Sequence, residues 1–276
     1  MLIKKAKSYG FCFGVKRAVE IAESSKGAVT LGPLIHNPLE IKRLNDEYNV
    51  KFIENIDEID KNIKKVIVRT HGIPKNELNK LKEKEIEIID ATCPFVKKPQ
   101  EIVKEMSKQG YDIVIFGDKN HPEIKGVMSY SVHDRVFVIL DKEELFNIKL
   151  KEKVATVAQT TRKIQNYLDI VNYLIKHYKE VRVFNTICNA TFENQEAVRD
   201  LAKEVDIMII IGGKNSSNTK QLYNIAKEYC DTYLVESEKE LKKEWFLEKK
   251  LCGISAGAST PEWLVENIIS RIKEMV

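Results

Sequence analysis

The sequence predicts an α/β protein made of three similar parallel-sheet α/β units, arranged as a pseudo-threefold trefoil around a shared centre. Three observations predict it. Short β-branched runs alternate with helical patterns along almost the whole chain, which is the mark of right-handed βαβ units. One sequence frame is written twice at a fixed offset and a third time more loosely. No low-complexity or Gly/Ser-rich linker breaks the alternation, so unit boundaries must follow the repetition.

In chain order, the first strand is "IKKAK" (3–7), followed by the periodic helix "GVKRAVEIAESS" (14–25). Strands "AVTL" (28–31), "VIVRT" (66–70) and "IEIID" (86–90) come next, then the helix "PFVKKPQEIVKEMSKQG" (94–110). "DIVIF" (112–116), "RVFVIL" (135–140) and "VATVA" (154–158) read as strands, "NYLDIVNYLIKHY" (166–178) as a helix and "VRVFN" (181–185) as a strand. The last third runs through the helix "ATFENQEAVRDLAKEV" (190–205) and the strands "IMIII" (207–211), "TYLVE" (232–236) and "CGISA" (252–256). In parallel sheets of this kind, functional groups gather at the carboxyl ends of the strands.

The repeat shows where those ends are. "GDKNHPE" (117–123) after "DIVIF" returns as "GGKNSSN" (212–218) after "DIMIII". Cys93 to Cys188 and Gly117 to Gly212 share one offset, since 188 minus 93 and 212 minus 117 both give 95. At that offset Gln100-Glu101 falls on Gln195-Glu196 and Lys119-Asn120 on Lys214-Asn215. A looser copy starts at Cys12, with Gly32 and His36 on its first loop. A second loop recurs after a later strand, with His71 in "RTHG", Thr160 in "AQTT" and Ser259 in "AGAS". The units therefore divide as 12–93, 94–187, and 188–276 together with 1–11. The scaffold repeats while its polar residues diversify, as expected when three arms touch different parts of one asymmetric ligand. The alternative is inherited scaffolding whose polar groups face water.

The bulk numbers narrow the function classes. Of 276 residues, 45 are basic and 41 acidic, a net charge of +4 and too balanced for nucleic acid as main partner. Lys-rich stretches such as "KLKEKE" read as solvated helix faces. No apolar run approaches the ~18–20 residues that span a bilayer, so no membrane partner is expected. "MLIKKAKSYG" lacks the apolar core of a signal peptide, which points to the cytoplasm. Five cysteines, an odd number in a long chain, argue against a disulfide framework.

Cys12, Cys93 and Cys188 each follow a strand and precede a helix. Pro94 suits the first helical position and so sets Cys93 at a helix start, where the thiolate is favoured. A structural zinc site usually uses four ligands, often with a Cys-x-x-Cys pair that is absent here. Three thiolates from distant loops suit an iron–sulfur cluster. On a four-iron cube, three cysteines leave one iron open to bind a substrate oxygen as a Lewis acid. Cys230 and Cys252 fall outside the frame and read as packing residues.

The polar arms suit an anion. A strand-to-helix loop bearing Ser216, Ser217 and Asn218 makes an anion cradle, with plain helix capping as the alternative. Pro261 at the first position of the last helix would make Thr260 its cap and leave Ser259 for another role. His36, His71 and His121 fall on repeat loops and, with the Ser and Asn groups, suit a diphosphate. His133 and His177 have no such placement and are expected on the surface. Glu123, aligned with Asn218, is the natural proton donor beside a metal-bound oxygen, the alternative being an ordinary glutamate at a helix start.

Taken together, "GFCFGVKRAV" (10–19), "GPLIHNP" (32–38), "RTHG" (69–72), "DATCPFV" (90–96), "GDKNHPE", "AQTT", "ICNAT" (187–191), "GGKNSSN" and "SAGASTPEWL" (255–264) resemble the 4-hydroxy-3-methylbut-2-enyl diphosphate reductase family. They cover essentially the whole chain in the family's order. The resemblance implies three α/β domains around a [4Fe-4S] cluster held by Cys12, Cys93 and Cys188. It implies that His36, His71, His121, Ser216, Ser217, Asn218 and Ser259 contact the substrate, mainly its diphosphate. Glu123 then belongs to a proton relay and Thr160 lies near the reacting end, with Thr161 the alternative one residue on. The implied reaction removes an allylic hydroxyl with two electrons and two protons, giving isopentenyl and dimethylallyl diphosphate. Ferredoxin or flavodoxin is the implied electron donor. The rival readings are a quinolinate-synthase-like condensing enzyme, also with three cysteines on a [4Fe-4S] cluster, and a non-catalytic phosphate- or metal-binding module.

Overall fold

The computed structural model describes residues 1–276. Strand β1 (Leu2–Lys5) leads into α1 (Phe13–Ser24). Next come β2 (Val29–Leu31), α2 (Pro38–Tyr48), β3 (Lys51–Ile53), β4 (Lys65–Val68), α3 (Lys75–Lys82) and β5 (Glu87–Asp90). The middle of the chain holds α4 (Pro94–Lys108), β6 (Asp112–Phe116), α5 (Pro122–Met128), β7 (Val136–Ile139), β8 (Lys153–Ala158), α6 (Ile164–His177) and β9 (Glu180–Val183). The last third holds α7 (Asn189–Ala202), β10 (Ile207–Ile211), α8 (Ser217–Ala226), β11 (Asp231–Val235), β12 (Leu251–Ala256) and α9 (Glu262–Met275).

The strands form three four-stranded sheets, ordered β3-β2-β4-β5, β7-β6-β8-β9 and β11-β10-β12-β1. Every pairing is parallel. All three sheets share one order: second strand, first, third, fourth. The third sheet takes its fourth strand from the N-terminus, where Leu2–Lys5 pair with Leu251–Ile254. In this order the connection reverses direction between the first and third strands, the place where open α/β sheets bind ligands. The first loops (after β2, β6 and β10) and second loops (after β4, β8 and β12) leave the sheets there. The cysteines follow the fourth strands β1, β5 and β9.

The chain groups into two compact units. One comprises Met1–Lys16, Ile35–Glu47 and Asn189–Val276, and holds the β11-β10-β12-β1 sheet. Its central strand β10 is wholly buried and splits by the two-residue period of a strand. Ile207, Ile209 and Ile211 pack with Leu264, Val265, Ile268 and Ile272 of α9. Met208 and Ile210 pack with Val198 and Leu201 of α7 and Leu222 and Ile225 of α8. A one-residue slip would exchange these two cores, so the register is firmly set.

The other unit, Arg17–Leu34 with Tyr48–Cys188, holds the remaining two sheets. In β6 the same division recurs. Val114 and Phe116 join Tyr167, Ile170 and Leu174 of α6, while Ile113 and Ile115 join Val103 and Met106 of α4 and Ile124 and Val127 of α5. Strand β3 was not anticipated, because "KFI" is three residues long with Lys51 and Phe52 exposed and shows no buried face. No helix is long and apolar enough to cross a membrane.

Candidate functional site

In the unit that holds β6 and β8, Glu123 is the most constrained candidate. It opens α5 and is only 2% exposed. Its Oε1 accepts from the Thr160 backbone N–H at 2.8 Å, and its Oε2 accepts from the Thr160 hydroxyl at 2.7 Å. Burial pushes the carboxyl up to about 7; the two Thr160 bonds and the charge of Arg162 oppose this without overcoming it. A carboxyl poised there holds a proton near neutrality and can give it up, as general acid catalysis needs. Thr160, rather than Thr161, makes this pair.

His121 caps α5, its Nδ1 accepting from the Glu123 N–H at 3.2 Å, which puts the neutral ring's proton on Nε2. His71 meets His121 edge to face, with ring centroids 5.7 Å apart. Thr70 donates its hydroxyl proton to the Leu34 carbonyl at 2.8 Å, so in its 3.3 Å contact with His71 Nδ1 the ring is the donor. The two histidines thus carry opposite tautomers, fixed by Glu123 and by Thr70, a neighbour that the motifs alone did not single out. Gln159 is a second such neighbour. Its Oε1 accepts from Asp118 N–H at 3.0 Å and its Nε2 donates to Thr161 at 3.2 Å, tying the loop after β6 to the loop after β8.

The other unit carries His36, Ser216, Ser217, Asn218 and Ser259. Ser216 caps the ten-residue α8, its Oγ accepting from Thr219 N–H at 3.3 Å. Capping does not exclude an anion cradle, because the cap occupies one N–H and leaves the rest of the helix start available. Asn218 is 3% exposed, and neither its amide nitrogen nor its oxygen has a hydrogen-bond partner. The buried Thr219 hydroxyl is likewise unpartnered. Native proteins rarely leave such groups unmatched, which makes this helix start a candidate site for a polar ligand. Ser217 lies at the first position of α8, half-buried. Gly213 is needed for approach: a methyl group there would stand 2.5 Å from the His36 carbonyl oxygen.

Ser259 donates to that same His36 carbonyl at 3.2 Å, so its hydroxyl supports the His36 loop. The cap of α9 is Pro261 and not Thr260. Thr260 is fully buried and donates to the Ile211 carbonyl at 3.0 Å, a bond to β10 that draws it away from the helix start. His133 also departs from expectation, since both its ring nitrogens are buried without partners. His177 is exposed and bonded to the Tyr173 carbonyl.

Each cysteine of the repeat stands directly before a helix and is anchored to a second loop. The N–H of Cys12 donates to Ala258, that of Cys93 to Thr70 and that of Cys188 to Thr160, at 2.9–3.1 Å. Cys93 is the cap of α4 with Pro94 at its first position. Burial pushes the Cys12 thiol up, while the N–H groups of Val15 and Gly14 pull it down. Desolvation outweighs the helix start here, so the unligated thiol keeps its proton, and a metal would have to displace it. All three thiols are free of disulfides and partly exposed. No three His, Cys, Asp or Glu side chains are already gathered around one metal-ion position. The donor chemistry nonetheless fits a thiolate-bound iron–sulfur group: soft ligands, main-chain anchoring and N–H groups aimed at sulfur. Cys252 is fully buried in the core against β10, and Cys230 packs beside α8.

Comparison with known proteins places the chain. The LytB protein family model matches residues 3–273. A protein of Nautilia profundicola named 4-hydroxy-3-methylbut-2-enyl diphosphate reductase is 80% identical over the full length of both chains. A solved structure of (E)-4-hydroxy-3-methyl-but-2-enyl diphosphate reductase, described as the terminal enzyme of the non-mevalonate pathway, is 44% identical. It covers 99% of this chain and 100% of its own, with a TM-score of 0.73. The E-1-hydroxy-2-methyl-but-2-enyl-4-diphosphate reductase of Plasmodium falciparum is 26% identical and covers 98% of this chain and 87% of its own, with a TM-score of 0.90. In sequence and in fold, the chain belongs to the LytB protein family.

Proposed function

We propose that this chain is a 4-hydroxy-3-methylbut-2-enyl diphosphate reductase, catalysing the last step of the non-mevalonate route to isoprenoids. The substrate's allylic C–O bond breaks, two electrons and two protons enter, the oxygen leaves as water, and isopentenyl or dimethylallyl diphosphate remains. The observation that carries the mechanism is the buried Glu123 carboxyl, pushed up to about 7 and held on both oxygens by Thr160.

In this reading Glu123 supplies the proton that turns the departing hydroxyl into water, and Thr160 orients the carboxyl and faces the reacting end. Protonation makes the oxygen a far better leaving group, and a donor matched to neutral pH contributes ~10²–10⁴-fold. His36, Ser216, Ser217, Asn218 and Ser259 bind the diphosphate through the start of α8 and the unmatched Asn218 amide. His121 presents its Nε2–H to the anionic substrate, and His71 stands edge to face with it, its own Nδ1–H engaged by Thr70. Cys12, Cys93 and Cys188 hold a [4Fe-4S] cluster, which when bound supplies the electrons and a Lewis-acidic iron. Ferredoxin or flavodoxin delivers those electrons. Free thiols and such a cluster favour a reducing compartment, and the cytoplasm is the one we assign. The division into 12–93, 94–187, and 188–276 with 1–11 belongs to the same reading, supported by the strand order that the three sheets share.

Anaerobic turnover tests it. Reconstituted protein, a reduced viologen dye and hydroxymethylbutenyl diphosphate are expected to give dye oxidation together with both five-carbon diphosphates. An intact four-iron cluster without turnover would overturn the reading and return weight to a condensing or binding role.

A further inference from the structure

Gln100 is a repeated motif residue that the mechanism leaves unused. It lies seven residues after Cys93 on α4, two helical turns along and on the same face as the cap. It is a polar residue only 5% exposed, in a helix otherwise buried through Val96, Pro99, Val103 and Met106. Its amide sits where two other elements come together. A methyl group at Gly72 would stand 2.9 Å from Gln100 Nε2, and Gly72 has a φ of +71°. A methyl group at Gly126 of α5 would stand 3.5 Å from the same atom and 3.8 Å from the carbonyl oxygens of His71 and Ile73. Gly72 is the tight side, where a methyl group would collide with the amide, while Gly126 lies at ordinary contact distance from it.

The two glycines are close to chemistry. Gly72 follows His71 directly. Gly126 is three residues after Glu123 on α5, hence on the same helix face. Beside this joint is a cavity of about 250 Å³ bordered by Gly72, Thr92, Gln100 and Tyr130, so Gln100 lines that space as well as meeting the two glycines. Shortening the side chain would extend the cavity into the contact between the His71 loop and α5, and packed elements do not tolerate such voids without shifting.

We infer that Gln100 is a positioning residue, a spacer by which the Cys93 helix sets the His71 loop and the Glu123 helix at their working separation. The inference rests on the functional reading above for the roles of His71 and Glu123. Its geometry lies wholly within one compact unit.

The test compares Q100A and Q100M with wild-type enzyme carrying its cluster. Two readouts are used: steady-state kinetics, and hydrogen exchange at residues 70–73 and 122–128. Q100A is expected to lower kcat about tenfold with KM within twofold, because a misplaced proton donor slows chemistry more than binding. It is expected to speed exchange in those two segments and not in the β10 core. Q100M, of similar length but without the amide, is expected to restore kcat to within threefold and exchange to wild-type rates. Wild-type kcat and exchange in Q100A would overturn the inference, as would a Q100M as defective as Q100A. If Q100A does not fold, Q100M decides alone: near wild-type kcat and exchange support the spacer, and loss of both overturns it. If the wild type itself gives no turnover, the functional reading fails while the exchange comparison still decides the spacer.

Discussion

At the scale of single residues, the decisive feature is a carboxyl kept out of water. Glu123 pairs its two oxygens with the N–H and hydroxyl of one threonine, which satisfies them without supplying a counter-charge. That distinguishes it from Asp112, whose ion pair with Arg135 holds its carboxyl below the usual range despite a fully buried side chain. The same contrast sets a pH dependence. Glu123 rises from 4.5 in the unfolded chain to about 7 in the fold, so the folded state holds the extra proton between these values. Its contribution is fully present below pH 4.5 and lost as pH rises through about 7. E123Q keeps the shape and an acceptor for the Thr160 N–H, and its amide can donate to the Thr160 hydroxyl oxygen. It should therefore match wild-type stability near pH 4.5 and exceed it by about 3 kcal/mol at pH 8. Urea denaturation at the two pH values measures this difference. In the same variant kcat should fall at least ~100-fold, and the decline of wild-type kcat/KM through pH 7 should disappear. Turnover at the wild-type rate would remove Glu123 from the proton path.

At the scale of elements, the start of α8 shows what a helix can be shaped for. An unpaired amide nine-tenths buried costs stability, which on the proposed function is offset by binding the diphosphate. N218A removes that cost and favours the helix. Its melting temperature should be unchanged or slightly higher, while KM for the diphosphate substrate rises at least ~10-fold, about 1.4 kcal/mol of lost binding. A fall in stability with unchanged KM would mark Asn218 as structural. The local build of this helix start was legible because a strand, a glycine pair and Ser-Ser-Asn before a periodic run have one local reading. Cys93 was legible through Pro94 for the same reason. What was hidden depends on partners far along the chain. Gln159 acquires its role only when β6 pairs with β8 and brings Asp118 within reach. Thr260 was expected to cap α9, but its hydroxyl is claimed by Ile211 on a neighbouring strand, and Pro261 takes the cap. At Cys12 a helix start favours the thiolate, yet the burial that opposes it belongs to tertiary packing. Strand β3 carries no period long enough to detect.

At the scale of the whole molecule, the fold was readable because the frame repeats. Each sheet uses the order second, first, third, fourth, and each cysteine follows a fourth strand, so the N-terminal β1 completes the last sheet and Cys12 takes the place equivalent to Cys93 and Cys188. This arrangement has a thermodynamic consequence. The proposed ligands are separated by roughly 80 and 95 residues, and no local segment can present two of them together in an unfolded chain. A cluster on all three would then bind the folded state almost exclusively, and its binding free energy would appear as folding stability. Anaerobically reconstituted protein should melt at least about 5 °C above the iron-free chain. C12S, C93S and C188S should each lose most of the bound iron and most of that rise. C230S should keep both, since Cys230 packs beside α8 outside the frame. Calorimetry alongside iron and sulfide determination reads both quantities on the same samples. A C93S protein that keeps wild-type iron and the full thermal rise would break the three-cysteine assignment, and the repeat would then mark ancestry without ligation.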